Sequence, residues 1–346
     1  MNAKRTIAKL TVAAATLLLL PGCLERKEKI TVTPDGAVRM ELTYKGDAGD
    51  FNAGDALPDA GAGWQVVDET RIRDNGDEER TREAIQEFAP GAPLPDSFAD
   101  PAGSEYAVAL RFPTSLEVEV RDDGTYYHFK RVYTPREEAR YTVLRELKKD
   151  MYKELDALTD KDPSVLTDAE RSRIVEILRT VESFKRTEFV RTGAAALEDV
   201  WPQHYGLLLR QALLNHFAQI DISPVLDLMA QPDSPRRDAD INAYAARVIE
   251  EARAAIELEL HELQVPEDQA TRFLTACDEE EARRAVTEDV GDENWKVTVV
   301  LPGTIVAHNG DKVEGDAITW EFPGKALYDR EQTLMATSFV PAQSGE

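Results

Sequence analysis

The hydrophobic period of the chain changes twice. From Lys29 to about Arg136, apolar and polar residues mostly alternate, as in strands with one buried face. Ile30-Thr31-Val32-Thr33, Pro34-Asp35-Gly36 and Val38-Arg39-Met40-Glu41-Leu42-Thr43-Tyr44 predict a hairpin, with turn chemistry between two alternating arms. Residues 46–63, rich in Gly, Ala and Asp, read as a solvated loop. Residues 64–73 and 81–88 flank Asn75-Gly76 as a second hairpin, although the Glu and Arg of the second arm also suit a helix. A proline-spaced connection follows over 90–101. Further strands are expected at 107–112, 116–120 and 126–133, the last two joined by Asp122-Asp123-Gly124.

From Pro135 to about Asp289 the period becomes 3.6. A first helix over 136–158 carries a stripe of Leu144, Leu147, Met151 and Leu155. Thr167-Asp168-Ala169-Glu170 is a capping box that starts a second helix, with Ile174, Ile177, Leu178, Val181 and Phe184 inward. A third helix after Trp201-Pro202 holds Tyr205, Leu208, Leu209, Ala212, Leu213, Phe217 and Ile220, and its apolarity predicts a central position. A short helix at Pro224, a long one over 236–263 and a last one from Pro266 to Thr287 complete the set. Short connections favour an antiparallel bundle. From Trp295 the period returns to two, with strands at 296–301, 304–308, 317–322 and 333–340.

Strands, helices, then strands again predict an α+β fold. One antiparallel β-sheet is built from the N- and C-terminal segments, and a large α-helical bundle is inserted between them and covers the sheet. The expected divisions are 1–22, a signal peptide; 23–134, β-rich; 135–290, helical; and 291–346, a β-segment pairing with the first.

The first residues carry a different signal. Lys4, Arg5 and Lys9 stand without an acid, and residues 10–20 follow without a charge. That run is shorter than the about 20 apolar residues a bilayer span needs, and it suits the core of an export signal. It ends in Leu20-Pro21-Gly22-Cys23, which resembles the lipobox of bacterial lipoproteins. That resemblance implies cleavage between Gly22 and Cys23 and a lipid on Cys23. The alternatives are an ordinary signal peptide with a chance cysteine, or an uncleaved anchor. Leu24 after the cysteine leans, by the same resemblance, toward an outer membrane.

Charge narrows the partners. The net charge of −24 becomes −27 once residues 1–22, with three bases and no acid, are removed. So acidic a surface repels nucleic acid and anionic headgroups, so the body is expected to hang from its lipid rather than lie on the membrane. With Cys23 lipidated, Cys277 is the only thiol left, and no intrachain disulfide can form. Cys277 shares a helix face with Phe273 and Leu274, which points to a structural thiol.

The C-terminal stretch holds Leu301-Pro302-Gly303-Thr304-Ile305-Val306, Asn309-Gly310, Val313-Glu314-Gly315-Asp316-Ala317-Ile318-Thr319-Trp320-Glu321-Phe322 and Leu334-Met335-Ala336-Thr337-Ser338. Together with the lipobox and the early hairpin, it is similar to LppM-like bacterial lipoproteins. The likeness covers roughly the first 45 and last 50 residues, not the helical middle. It implies an envelope lipoprotein with a β-rich domain suited to an apolar ligand, and it supplies no catalytic residue.

Constellations that a reaction would need are missing. There is no Gly-x-Ser-x-Gly elbow and no phosphate-cradling loop. His261-Glu262 lacks the second histidine of a zinc motif. Residues 50–61 begin like a calcium loop but put Gly54, Asp55 and Gly61 where oxygen, glycine and Glu are required. His216, between Leu213 and Phe217, reads as a satisfied core histidine. Trp201, His204 and Tyr205 read as a staple or a pocket rim, residues 278–281 as a solvated charged face, and Tyr126, Tyr127 and Tyr133 as cross-strand packing. No cofactor or metal is expected. The preferred function is a membrane-anchored, non-enzymatic envelope lipoprotein with an apolar ligand or a protein partner. An assembly subunit docking through the bundle and an envelope hydrolase with an unrecognised site stand as alternatives.

Overall fold

The computed structural model describes residues 24–47, 51, 55–73, 78–159, 165–202, 204–221, 223–229 and 235–342. Gly22, Cys23, the Asn75-Gly76 turn and residues 50 and 52–54 of the calcium-like loop lie outside them. The first hairpin is β1 (Glu25–Val32) paired with β2 (Val38–Asp47). Its turn closes as the sequence predicts: Gly36 takes a φ of 85°, its amide donates to Thr33, and Asp35 accepts from Thr33 and Ala37. Only glycine holds that backbone region without steric cost.

The chain divides into two compact units. Of the described residues, one unit holds those from Arg140 to Arg284; the other joins those up to Ala139 with those from Ala285 onward. The fold is α+β, with a helical region flanked by N- and C-terminal strands. It departs from one antiparallel sheet in two respects: there are two sheets, and the larger contains a parallel pair. As expected, each sheet joins early with late strands.

The larger sheet runs β3 (Gln65–Ile72), β4 (Glu78–Phe88), β2, β1, β7 (Asn294–Val300), β10 (Ala317–Pro323), β9 (Lys312–Glu314). The smaller runs β5 (Thr114–Arg121), β6 (Gly124–Tyr133), β11 (Gln332–Pro341), β8 (Thr304–His308). Within the larger sheet β1 and β7 pair in parallel, Arg26 opposite Trp295 and Ile30 opposite Val299. A parallel pair needs a long crossover, and the whole intervening chain supplies it. The arm 81–88, ambiguous between strand and helix, is β4.

The expectation that the bundle covers the sheet is corrected here. The two sheets cover each other: Ile30, Met40, Leu42, Val297, Val299 and Trp320 from one share a core with Tyr127, Phe129, Tyr133, Leu334 and Ala336 from the other. Period-two alternation reveals one buried face but not what lies on it. The expected strand at 107–112 is also corrected. The backbone there pairs with other groups: Asp55 accepts from the Leu110 amide, Arg136 donates to the Val108 carbonyl, and the Phe112 amide donates to Asp96. Val108, Leu110 and Phe112 are buried all the same.

The helical unit contains α1 (Thr142–Thr159), α2 (Asp168–Ala195), α3 (His204–Gln219), α4 (Ser223–Met229) and α5 (Pro235–Glu262), with most of α6 (Glu267–Asp289). The α2 capping box is formed: Thr167 accepts from the Glu170 amide, and Glu170 accepts from the Thr167 amide. The core joins Leu155, Ile174, Ile177, Leu178, Leu209, Leu213, Phe217, Val248, Ile256 and Phe273. Against expectation, α3 is not central. It packs one side on α2 and α5 and leaves Leu207, Leu208 and Leu214 exposed. Leucines lie on both of its sides, so apolarity alone did not show that one side stays open.

Candidate functional site

Strand β1 begins two residues after Cys23. Its inward row is Arg26, Glu28, Ile30 and Val32, continued from Leu24 just before it, so two full charges face the core. Leu24 is already buried, and its carbonyl accepts from the Asn294 amide. The residue that follows the lipobox is therefore already part of the packed core.

Arg26 donates to both carboxylate oxygens of Glu293, at 2.5 and 2.7 Å, from a position between the rings of Tyr44 (5.5 Å) and Trp295 (5.1 Å). Burial works against the Arg26 charge, and Glu293 outweighs it, so the guanidinium is held more firmly protonated than usual. Asp289, one turn before Glu293, is hydrogen-bonded to it; burial, reinforced by the Glu293 charge, pushes the Asp289 carboxyl up to about 8. Burial raises Glu293 as well, against the pull of Arg26. Two guanidinium hydrogen bonds favour an ionised Glu293, so the proton sits on Asp289 at neutral pH. Asp55 adds a third carboxylate to this field and is itself taken by Arg136 and the Leu110 amide.

Two residues along, Glu28 accepts from Arg131 of β6, across the interface of the two sheets. Arg131 also donates to Thr114 Oγ1 (2.8 Å) and Tyr133 Oη (3.2 Å), and it lies over the Phe112 ring at 5.1 Å. Burial pushes the Tyr44 hydroxyl well up, helped by Glu28. That hydroxyl is buried and has no hydrogen-bond partner among the described residues.

A depression of about 450 Å³ opens on the outer side of this end of the sheet, lined by Glu25, Lys27, Lys296, Glu321 and their neighbours. Lys27 is paired with Glu25 (3.0 Å) and Lys296 with Glu321 (2.6 Å). The hydrolase alternative needs a cleft with perturbed carboxylates. Asp289 and Glu293 are perturbed, but they do not line the depression, and Glu293 is saturated by Arg26. The arrangement can bolt β1 to its surroundings and store one proton; it presents no nucleophile with a base beside it. No group of three or more His, Cys, Asp or Glu suited to a metal occurs among the described residues.

Other residues singled out from the sequence lie apart from this site. Trp201 stacks on Phe273 (5.1 Å) and donates to Gln269, Tyr205 packs edge-on against it, and both belong to the helical core. His216 is only half-buried, and its Nε2 lacks a partner among the described residues, so it is not the satisfied core histidine expected. Residues 278–281 are not a solvated face: Glu280 is buried and accepts from Arg140, and Glu281 accepts from Arg186. Cys277 is half-buried, donates to the Phe189 carbonyl (3.3 Å), and burial pushes its thiol up to about 12. Tyr127 and Tyr133 face the core while Tyr126 points outward against Phe339. Sequence reasoning missed Arg26, Glu28, Arg131, Asp289 and Glu293. The one signal available was that Arg26 and Glu28 share parity with Ile30 and Val32.

No family model and no curated protein matches the chain. Among solved structures it is similar to the folded domain of LppM from Mycobacterium tuberculosis, determined by NMR. The identity is 10%, 94% of this chain and 95% of that chain are covered, and the TM-score is 0.29. So loose a superposition carries neither a common core nor a common site.

Proposed function

We propose that the chain is an extracytoplasmic lipoprotein of the bacterial envelope, cleaved after Gly22 and anchored through a lipid on Cys23, with a non-enzymatic binding or structural role. The observation that carries this reading is the sequence Leu20-Pro21-Gly22-Cys23 behind a basic start and an uncharged run. The burial of Leu24 supports it: the residue next to the anchor point is already packed into the core. Several acyl chains on one residue give stable attachment without a spanning helix, and no described helix is long and apolar enough to cross a membrane. The partners are the membrane through this lipid and an apolar ligand or protein.

Intact-mass spectrometry of protein purified from its own membrane tests the reading. The expected species starts at Cys23 and carries added acyl mass that Cys23→Ala abolishes. An unmodified or uncleaved N-terminus overturns it. The same sample, extracted for lipid, reports any apolar ligand carried along, and fractionation of inner from outer membrane tests the lean given by Leu24.

A further inference from the structure

Only two runs of twenty or more residues in this chain contain no acid: 1–24, which holds the export-signal pattern, and 200–220. With 65 acids in 346 residues, about four would be expected in the second run. It contains all of α3. Its charge is limited to Arg210, with His204 and His216 as titratable groups.

On α3, Leu209, Leu213 and Phe217 are buried. On the opposite side Leu207, Gln211, Leu214 and Ala218 form an exposed line, flanked by His204, Leu208, Arg210, Asn215 and Gln219, all exposed. Leu207 keeps 67% of its surface open, Leu208 and Leu214 39% each, and Val200, just before the helix, 50%. The outer side of α5 is a contrast within the same unit: Leu258 is exposed there too, but among Arg247, Glu250, Glu251, Arg253 and Glu257.

The absence of acids identifies the occupant. A protein–protein interface excludes charge from its centre but tolerates it at the rim. An anionic headgroup layer repels carboxylates across the whole contact, and dehydrating them there is costly. A face with exposed leucines, neutral amides, one arginine and no acid on an otherwise strongly acidic protein therefore matches a lipid surface better than a protein. We propose that this face of α3 rests on the membrane, with Leu207, Leu208 and Leu214 entering the boundary between headgroups and acyl chains and Arg210 at the level of the phosphates. The proposal rests on the lipid anchor at Cys23: three leucines are a weak, reversible hold by themselves, and the tether supplies the local concentration that makes it count. It replaces the picture of a body hanging clear of the bilayer.

The test uses the acylated protein, purified from its membrane in a Cys277→Ser background and reconstituted in vesicles of phosphatidylethanolamine and phosphatidylglycerol. A fluorophore is placed at Leu214→Cys or, as control, at Glu250→Cys on α5; both sites are exposed, and circular dichroism checks the fold. Brominated acyl chains are expected to remove most of the emission at 214 and none at 250, and Leu207→Asp is expected to abolish quenching at 214 while the protein still floats with the vesicles. Flotation without quenching at 214 overturns the proposal and leaves the anchor intact. A label shielded from aqueous iodide but untouched by brominated lipid also overturns it, in favour of a second copy or a protein partner. Failure to float overturns the anchor itself and this proposal with it.

Discussion

The helical unit buries charge partly in local pairs, beside the long-range pairs Arg140–Glu280 and Arg186–Glu281, whereas the β-unit buries it in pairs distant in sequence. In the helical unit, Glu182 is paired with Lys185 (2.6 Å) one turn on and approached by Arg186 (3.9 Å). Burial would raise the Glu182 carboxyl, but Lys185, Arg186 and Arg284 outweigh it and hold it below its usual range. Such i,i+3 and i,i+4 pairs form whenever the helix forms. In the β-unit, Arg26 meets Glu293 and Glu28 meets Arg131, partners 267 and 103 residues away. These pairs exist only in one strand register. A slip of β1 by a single residue would turn Lys27 and Lys29 inward, away from any such partner. The difference suggests that the local helical pairs follow the fold, whereas the pairs on β1 specify it.

The largest effect that sharpens this comparison is expected at Arg131. Arg131→Met leaves Glu28 buried and unpaired, which should cost about 3–5 kcal/mol in urea unfolding. Adding Glu28→Leu should restore most of that loss; if the single variant unfolds like wild type, the pair does not specify the register. The helical unit depends instead on apolar packing of one side of α3. Leu213→Ala should cost about 2–5 kcal/mol, whereas its neighbour Leu214→Ala should stay within about 0.5 kcal/mol. Equal costs at 213 and 214 would mean that α3 is covered on both sides.

The most gradual effect, spread over several pH units, concerns Asp289. Asp289 is raised to about 8 in the folded chain, against about 4 when unfolded. Between those values the folded state holds a proton that the unfolded state has lost, so this group makes stability fall as pH rises from about 4 to about 8, and the penalty is constant above that. Asp289→Asn removes the titration. Its stability relative to wild type should grow across that window, with a slope of at most about 1.4 kcal/mol per pH unit. Parallel pH profiles for the two proteins would place the proton elsewhere.

Much of the fold was legible because it follows from local chemistry. Pro34-Asp35-Gly36 dictates its turn, Thr167 with Glu170 dictates a helix start, and the change of period marks where strands yield to helices. What lies opposite a face was not legible. Alternation in β1 and β6 says that each has an inner side; that the two inner sides meet, with Glu28 on Arg131, depends on residues far apart in the chain. The candidate site was hidden for the same reason, since Arg26, Asp55 and the Asp289–Glu293 segment lie far apart in the chain and carry no motif. Residues 107–112 misled in the other direction: their alternation is real, but Asp55, Arg136 and Asp96 take backbone groups that a neighbouring strand would have used.

The sequence by itself determined most element types, the hairpin and its turn, the helix start at Thr167, and the pattern around Cys23 on which the proposed anchor rests, because turns, caps and processing signals are read over a few consecutive residues. Only the tertiary structure decided that there are two sheets rather than one, that β1 and β7 run parallel, that α3 keeps one apolar side open, and that Arg26 and Glu28 are neutralised inside the core. Those outcomes depend on which distant surfaces meet, and burial energy rewards any apolar partner, whereas a buried charge accepts only its counter-ion.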